Sequence, residues 1–242
     1  ITDKIENTSG SILFSLDNRF IFYSKLDENH RPKKIFRHEI GKSIKEDLLI
    51  FEERTPAFTV SIGISSDEKY YFINSSDHNT SEKYYFKSNE SLPKPKIVRK
   101  REKGIIYSVS SWGGYFYIHT NKGAEDFKIE RSRDIEASKW EVFIPAKNET
   151  MIGGLTFLKN WIIRSELNNA LDKIFVRDIN SNKEEELIFT DEEVYDGSIS
   201  HTQKDRNTDL IYISYSTPKT QARTYLYNLK TKEKKLVKEQ EI

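Results

Sequence analysis

Five histidines, His30, His38, His78, His119 and His201, are the residues with the widest chemical reach in this chain. Neighbouring members lie 8 to 82 residues apart, and none has a second histidine at metal-ligand spacing. Each therefore reads as a surface or strand histidine. The run Asp191-Glu192-Glu193 has the charge to hold a cation, but reads as a solvated loop between repeats. Asp17 and Asp67 stand in matching turns, where a carboxylate accepts a hydrogen bond from the turn backbone. The pairs Gly113-Gly114 and Gly153-Gly154 supply positive φ or close backbone approach, not phosphate binding. The sequence has no G-x-S-x-G nucleophile elbow, no H-E-x-x-H, no phosphate loop and no G-x-G-x-x-G. We assign no catalytic, cofactor-binding or metal-binding residue from sequence, and expect no cofactor.

With so little to position, the question becomes what the elements are for. Hydrophobic residues make up 36% of the 242 and charged residues 32%, a balance that leans towards disorder. The 14 Phe, 13 Tyr and 3 Trp, spread along the whole length, decide the other way by supplying area to bury. A net charge of +1 from 39 basic and 38 acidic residues offers no single-sign field, so nucleic acid and anionic membrane are not expected partners. The basic clusters 94–103 and 230–238 read as solvated loops and edge strands. Without cysteine there is neither a disulfide framework nor a thiolate metal site, which fits a reducing cytoplasm. No apolar run approaches the ~18 to 20 residues of a membrane span. The first residue is Ile1 rather than Met, which predicts a fragment of a longer protein.

Strands dominate the pattern, with no sustained helical spacing of apolar residues. Turn clusters precede aromatic strands that start at Phe20, Tyr70, Tyr115, Trp161 and Ile211, separated by 50, 45, 46 and 50 residues. A third strand recurs around Phe36, Tyr85, Phe127, Phe175 and Tyr225. A fourth, charged one recurs at 48–51, 96–99, 140–143, 186–189 and 235–237. Four strands per ~45 residues is the blade period of a β-propeller, in which stacked sheets bury each other's aromatic faces. An immunoglobulin-like sandwich predicts no such repeat. The expectation is all-β, with five four-stranded antiparallel blades around an axis over 11–51, 58–99, 105–143, 151–189 and 194–237. Residues 1–8 are expected to end a preceding blade.

The segment Tyr115-Phe116-Tyr117-Ile118-His119-Thr120-Asn121-Lys122-Gly123-Ala124-Glu125-Asp126-Phe127-Lys128-Ile129 resembles the FYI-TN-GA-NF-L stretch of one propeller family. In the same order, Ile35-Phe36-Arg37-His38-Glu39-Ile40-Gly41 resembles its V-RH-LG strand, Phe51-Glu52-Glu53 its YEE and Thr80-Ser81-Glu82 its TSE. Tyr212-Ile213-Ser214-Tyr215-Ser216-Thr217-Pro218 and Tyr227-Asn228-Leu229 resemble its last strands. The chain thus resembles the propeller of the prolyl oligopeptidase family, in its oligopeptidase B (protease II) branch. The resemblance implies a partial seven-bladed propeller that caps a C-terminal α/β-hydrolase domain bearing a Ser, Asp, His triad. It also implies cleavage of short peptides after Arg or Lys, with the propeller excluding large folded substrates. None of the triad falls within the matched stretch, so the chain alone is expected to be inactive.

Two other readings stand beside this one. A stand-alone propeller acting as a protein-interaction scaffold lacks support from any Gly-His or Trp-Asp blade signature. A propeller glycosidase or lyase needs carboxylates converging from several first strands, and Asp196 is the main candidate there. If five blades come from a seven-bladed parent, two faces of the kind built from Tyr71, Tyr117, Trp161 and Tyr212 stand open. Self-association is then expected, unless the five close into a smaller ring.

Overall fold

The computed structural model describes residues 3–201 and 205–241. Its aromatic and β-branched stretches, set between turn clusters, form twenty strands in five four-stranded antiparallel sheets. The first sheet holds β1 (Thr8–Phe14), β2 (Phe20–Leu26), β3 (Pro32–Glu39) and β4 (Leu48–Glu52). The second holds β5 (Thr59–Ile64), β6 (Tyr70–Ser76), β7 (Ser81–Lys87) and β8 (Lys96–Arg99). The third holds β9 (Tyr107–Trp112), β10 (Tyr115–Thr120), β11 (Lys128–Ser132) and β12 (Glu141–Ile144). The fourth holds β13 (Thr150–Leu158), β14 (Trp161–Asn168), β15 (Leu171–Asp178) and β16 (Glu184–Leu187). The fifth holds β17 (Asp196–Ser200), β18 (Leu210–Ser216), β19 (Arg223–Asn228) and β20 (Lys234–Glu239). In every sheet the strand order follows the chain. Two compact units result: residues 1–123 with 129–144 carry the first three sheets, and 124–128 with 145–242 carry the last two.

The turns explain the register. Ser15 and Ser65 each receive the amide of the aromatic five residues on, Phe20 and Tyr70, on their hydroxyl oxygens at 2.9 and 3.0 Å. The same hydroxyls donate to Asp17 and Asp67 at 2.6 and 2.8 Å. Each aspartate also accepts a backbone amide two residues on, from Arg19 and Lys69. One Ser-x-Asp turn is thus built twice, as the matching positions predict. Between β9 and β10, Gly113 and Gly114 take φ of 60° and 79° and close a two-residue hairpin opposite the Trp112–Tyr115 pair. Gly153 serves close approach instead: a Cβ there would lie 2.1 Å from the Ser165 hydroxyl.

In unit 1 the first two sheets bury Phe22, Ile35, Val60, Tyr71, Ile73 and Phe86 in one cluster. In unit 2 the fourth and fifth share a larger one, which includes Leu158, Ile163, Val176, Phe189, Ile211, Ile213 and Leu229. Outer strands are wet, and all six residues of β20 are exposed.

Several expectations need correction. Thr8 opens β1 and pairs with Lys25, so it belongs to the first sheet, and residues 3–7 carry no strand. The remainder of that expectation, Ile1 and Thr2, lies outside the described residues. Phe127 has φ of 68° and stands just before β11, because an αL residue ends strand pairing. Phe189 lies beyond β16 and is buried against Tyr195 and Tyr215, so its ring fills the core after pairing has stopped. Among the described residues the one helical element is a single 3-10 turn, Ile44–Glu46.

Candidate functional site

The densest chemistry in unit 1 lies where the first sheet passes to the second. Lys33, on β3, is buried and its ammonium donates to the carbonyls of Thr55, Pro56 and Phe58 at 2.6, 2.9 and 2.5 Å. All three of its protons are used, so the connection is pinned to the sheet before it. Glu53, just past β4, accepts from the Thr55 amide at 2.7 Å and from the Ser75 hydroxyl at 2.5 Å. Its second oxygen also accepts from Nη2 of Arg101 at 2.6 Å. The same Nη2 donates to Glu82 at 2.7 Å, and the Arg101 Nε and backbone amide reach Glu82 at 3.1 and 3.0 Å. The guanidinium carbon lies 4.0 Å from the Phe58 ring centroid.

Burial works to raise the Glu53 pKa, but the Ser75, Arg101 and Thr55 hydrogen bonds prevail and hold it at about 2. Glu82 is likewise held low, against burial, by Arg101 and Tyr84. Both carboxylates are fixed as anions, so neither is suited to give or take a proton near neutrality. This is a clamp between sheets rather than an acid–base pair.

His38 is fully buried on β3, with Nδ1 2.6 Å from Asp47 and Nε2 3.4 Å from Asp3. Asp47 also accepts from the Tyr23 hydroxyl at 2.8 Å, and Asp3 from the Gly41 amide at 2.7 Å. Burial opposes a charge on His38, and the hydrogen bonds and charges of Asp47 and Asp3 overcome it, so its pKa is raised. The imidazole ties the segment around Asp3 to the β3–β4 loop.

Unit 2 has its own charged cluster, within a single sheet. Arg164 of β14 is buried, forks onto Glu184 of β16 at 2.9 and 3.1 Å and reaches Glu166 at 2.8 Å. Lys147 closes on both Glu166 oxygens at 2.7 and 2.8 Å. In the Asp191-Glu192-Glu193 run, Glu192 accepts from the Thr217 hydroxyl at 3.0 Å, so it anchors the loop after β18. His30 and His78 are exposed in turns, His119 lies on β10, and His201 lies in an irregular segment. Asp196 is exposed at the start of β17. No group of three or more His, Asp or Glu suited to a metal occurs among the described residues.

Three clusters of buried ionisable groups thus tie strands and loops together, in a protein of meandering four-stranded sheets. The sequence matches, over residues 1–240, the family described as prolyl oligopeptidase, N-terminal beta-propeller domain. The chain belongs to that family. Within it, Protease 2 of Moraxella lacunata is 31% identical over 238 residues, covering 97% of this chain and 34% of the relative. Dipeptidyl aminopeptidase BI of Pseudoxanthomonas mexicana is 26% identical over the whole chain and 34% of its own length. The solved structure of oligopeptidase B from Trypanosoma brucei, in its closed form with covalently bound antipain, covers the whole chain at a TM-score of 0.90 and 26% identity. The chain spans about a third of the length of these relatives, 36% in the last case.

The motifs that carried the resemblance to the prolyl oligopeptidase propeller turn out to be staples. Glu53 and Glu82 of the YEE- and TSE-like segments meet on Arg101. Ser81 exchanges hydrogen bonds with the Tyr107 carbonyl and amide at 3.0 and 2.7 Å, tying the second sheet to the third. Asn121 of the TN-like segment accepts the Ile106 amide at 2.8 Å and donates to the Gly104 carbonyl at 2.9 Å. Arg101 itself sits inside a basic run that reads as solvated. Nothing in its spacing marks it out, because its partners lie 48 and 19 residues away.

Proposed function

We propose that this chain is the non-catalytic, substrate-gating propeller of a serine-type oligopeptidase that cleaves short peptides after Arg or Lys. The observation that carries this reading is the 31% identity to Protease 2 across 97% of the chain. The likeness to oligopeptidase B at a TM-score of 0.90 supports it. In this reading a C-terminal α/β-hydrolase domain supplies the Ser, Asp, His triad and the acidic pocket that reads the basic side chain. The propeller covers that domain and keeps folded proteins out, and both work in the cytoplasm. Its buried carboxylates Glu53, Glu82 and Glu166 are committed to ion pairs, which suits a part that contributes shape. Separated from its parent it self-associates, because Ile12 and Phe14 of β1 are 57% and 44% exposed. Of the aromatic residues expected on open faces, Tyr71, Tyr117 and Trp161 are buried and Tyr212 is half-buried, so those rings do not form the exposed surface.

The test has two arms. The purified chain should show no serine-inhibitor-sensitive turnover of an Arg-containing dipeptide. The gene product carrying a downstream G-x-S-x-G should cleave after Arg and Lys and leave folded proteins intact. Turnover by the chain alone, or equal cleavage after non-basic residues, overturns the reading. A coding sequence with no such motif downstream favours the stand-alone interaction scaffold instead.

A further inference from the structure

Two lysines of unit 1 are drawn out of water and held in opposite ways. Lys33 gives all three ammonium protons to backbone carbonyls. Lys83, half-buried on β7, donates to the side-chain oxygen of Asn74, which stands opposite it on β6. No carboxylate among the described residues pairs with it. An ammonium taken out of water against one neutral acceptor is costly, and losing its proton removes that cost. Burial accordingly pushes the Lys83 pKa down to about 8. A desolvated amine of this kind is a nucleophile near neutrality.

The backbone around it is fixed. The Tyr107 hydroxyl accepts the Lys83 amide at 2.8 Å and donates to the Arg99 carbonyl at 2.6 Å. One phenol thus holds β7 against β8 where Lys83 and Arg99 are register partners. Directly opposed residues share a sheet face. That face is turned to the third sheet: Tyr85, two residues on from Lys83, packs with Phe116, and Arg99 reaches Glu130 of β11 at 3.0 Å. Glu130 occupies one of the five guanidinium donors, which leaves donors for a second anion. An electrophile suited to this amine is small, because the amine is half-buried, and leaves a negative charge, because Arg99 stands opposite.

We propose that Lys83 is a carbon dioxide site, forming a carbamate that pairs with Arg99. The lone pair of the neutral amine attacks the carbon of CO2 and forms a C–N bond. One C=O π pair moves onto its oxygen, and a proton leaves the nitrogen for solvent. The product is an N-carboxylate anion, and the step needs no other reactant. A lone amine between the second and third sheets thereby becomes half of an ion pair across β7 and β8. Nothing in the oligopeptidase reading requires this site, so the two stand or fall separately.

The test is incubation of the purified chain with isotopically labelled carbon dioxide near neutral pH, read by carbon NMR. Alkylative trapping of the carbamate and peptide mass spectrometry then locate it. Lys83 should carry the trapped group at an occupancy about tenfold or more above the exposed Lys100 and Lys103. Lys83→Arg should remove the NMR signal, and Arg99→Gln should lower the occupancy about tenfold by removing the cation opposite the new anion. An absent signal, trapping spread evenly over the exposed lysines, trapping at Lys33, or an occupancy unchanged in Arg99→Gln would each overturn the proposal. The trapping on the native chain needs no variant, so a poorly folding substitution leaves the outcome decided.

Discussion

Two sheet-to-sheet junctions of the same repeat differ in what they add to an apolar core. The first and second sheets share the Phe22, Ile35, Tyr71 and Phe86 cluster and add ions to it: Lys33 on three carbonyls, and Arg101 shared by Glu53 and Glu82. The fourth and fifth meet through an apolar cluster of Leu158, Ile163, Val176, Ile211, Ile213 and Leu229. The strand plan is common to both, so the repeat does not dictate the glue. An apolar junction carries no titrating group and is indifferent to pH. An ionic one is unforgiving, since removing one partner strands a buried charge. Unit 2 places its own ions, Arg164, Glu166 and Glu184, inside one sheet, where they brace strands and not a junction.

The largest effect should come from Arg101→Met, which leaves Glu53 and Glu82 buried without their cation. A loss of about 3–5 kcal/mol is expected, read by denaturant unfolding, with hydrogen-exchange protection falling in residues 51–60 and 80–107. A loss below 1 kcal/mol would mean that the clamp is decorative. Next is Leu229→Ala in the apolar junction. Leu229 is fully buried, and its truncation should cost about 2–4 kcal/mol, with no dependence on salt or pH. If its penalty varies with pH, the contrast between the junctions is wrong.

The contrast also predicts a pH profile. Glu53 in the folded chain titrates at about 2, below its ordinary 4.5. Its contribution is therefore complete above 4.5 and lost as pH falls towards 2. His38 works at the other end: its folded pKa is raised above the ordinary 6.5. That contribution is complete below 6.5 and lost as pH rises through the folded value. Protection in unit 1 should drop at both extremes, and Glu53→Gln and His38→Gln should each flatten one limb. A unit 1 profile that is flat from acid to alkali would refute both assignments. The smallest effect is Asp67→Ala, which frees one turn and one bond from Ser111, for about 1 kcal/mol. A Tm shift at Asp67 larger than that of Leu229→Ala would reverse the ranking of turn and core.

The repeat was legible because each strand announces itself locally. Phe20, Tyr70, Tyr115 and Trp161 each open a strand directly after their turn, and a period-2 pattern needs only near neighbours. The Ser-x-Asp turns were legible for the same reason: every partner lies within five residues. Arg101 was not, because its meaning depends on Glu53, 48 residues earlier. Nor was burial of His38 readable, since its two carboxylates come from opposite sides of its own strand in sequence, Asp3 and Asp47. Phe189 misled for a subtler reason. A strand pattern marks where side chains alternate, and a ring can enter the core just after pairing has ceased.

The 48-residue reach of the Arg101–Glu53 contact also sets an order of assembly. Strand neighbours in each sheet are neighbours in the chain, so every hairpin closes a short loop and forms early. On the ribosome the first sheet is complete once Glu52 has emerged, with Glu53 still lacking its cation. The clamp waits for Arg101, and thus for the whole second sheet. Glu53 thus gains its cation only from a residue that follows the whole second sheet in the chain.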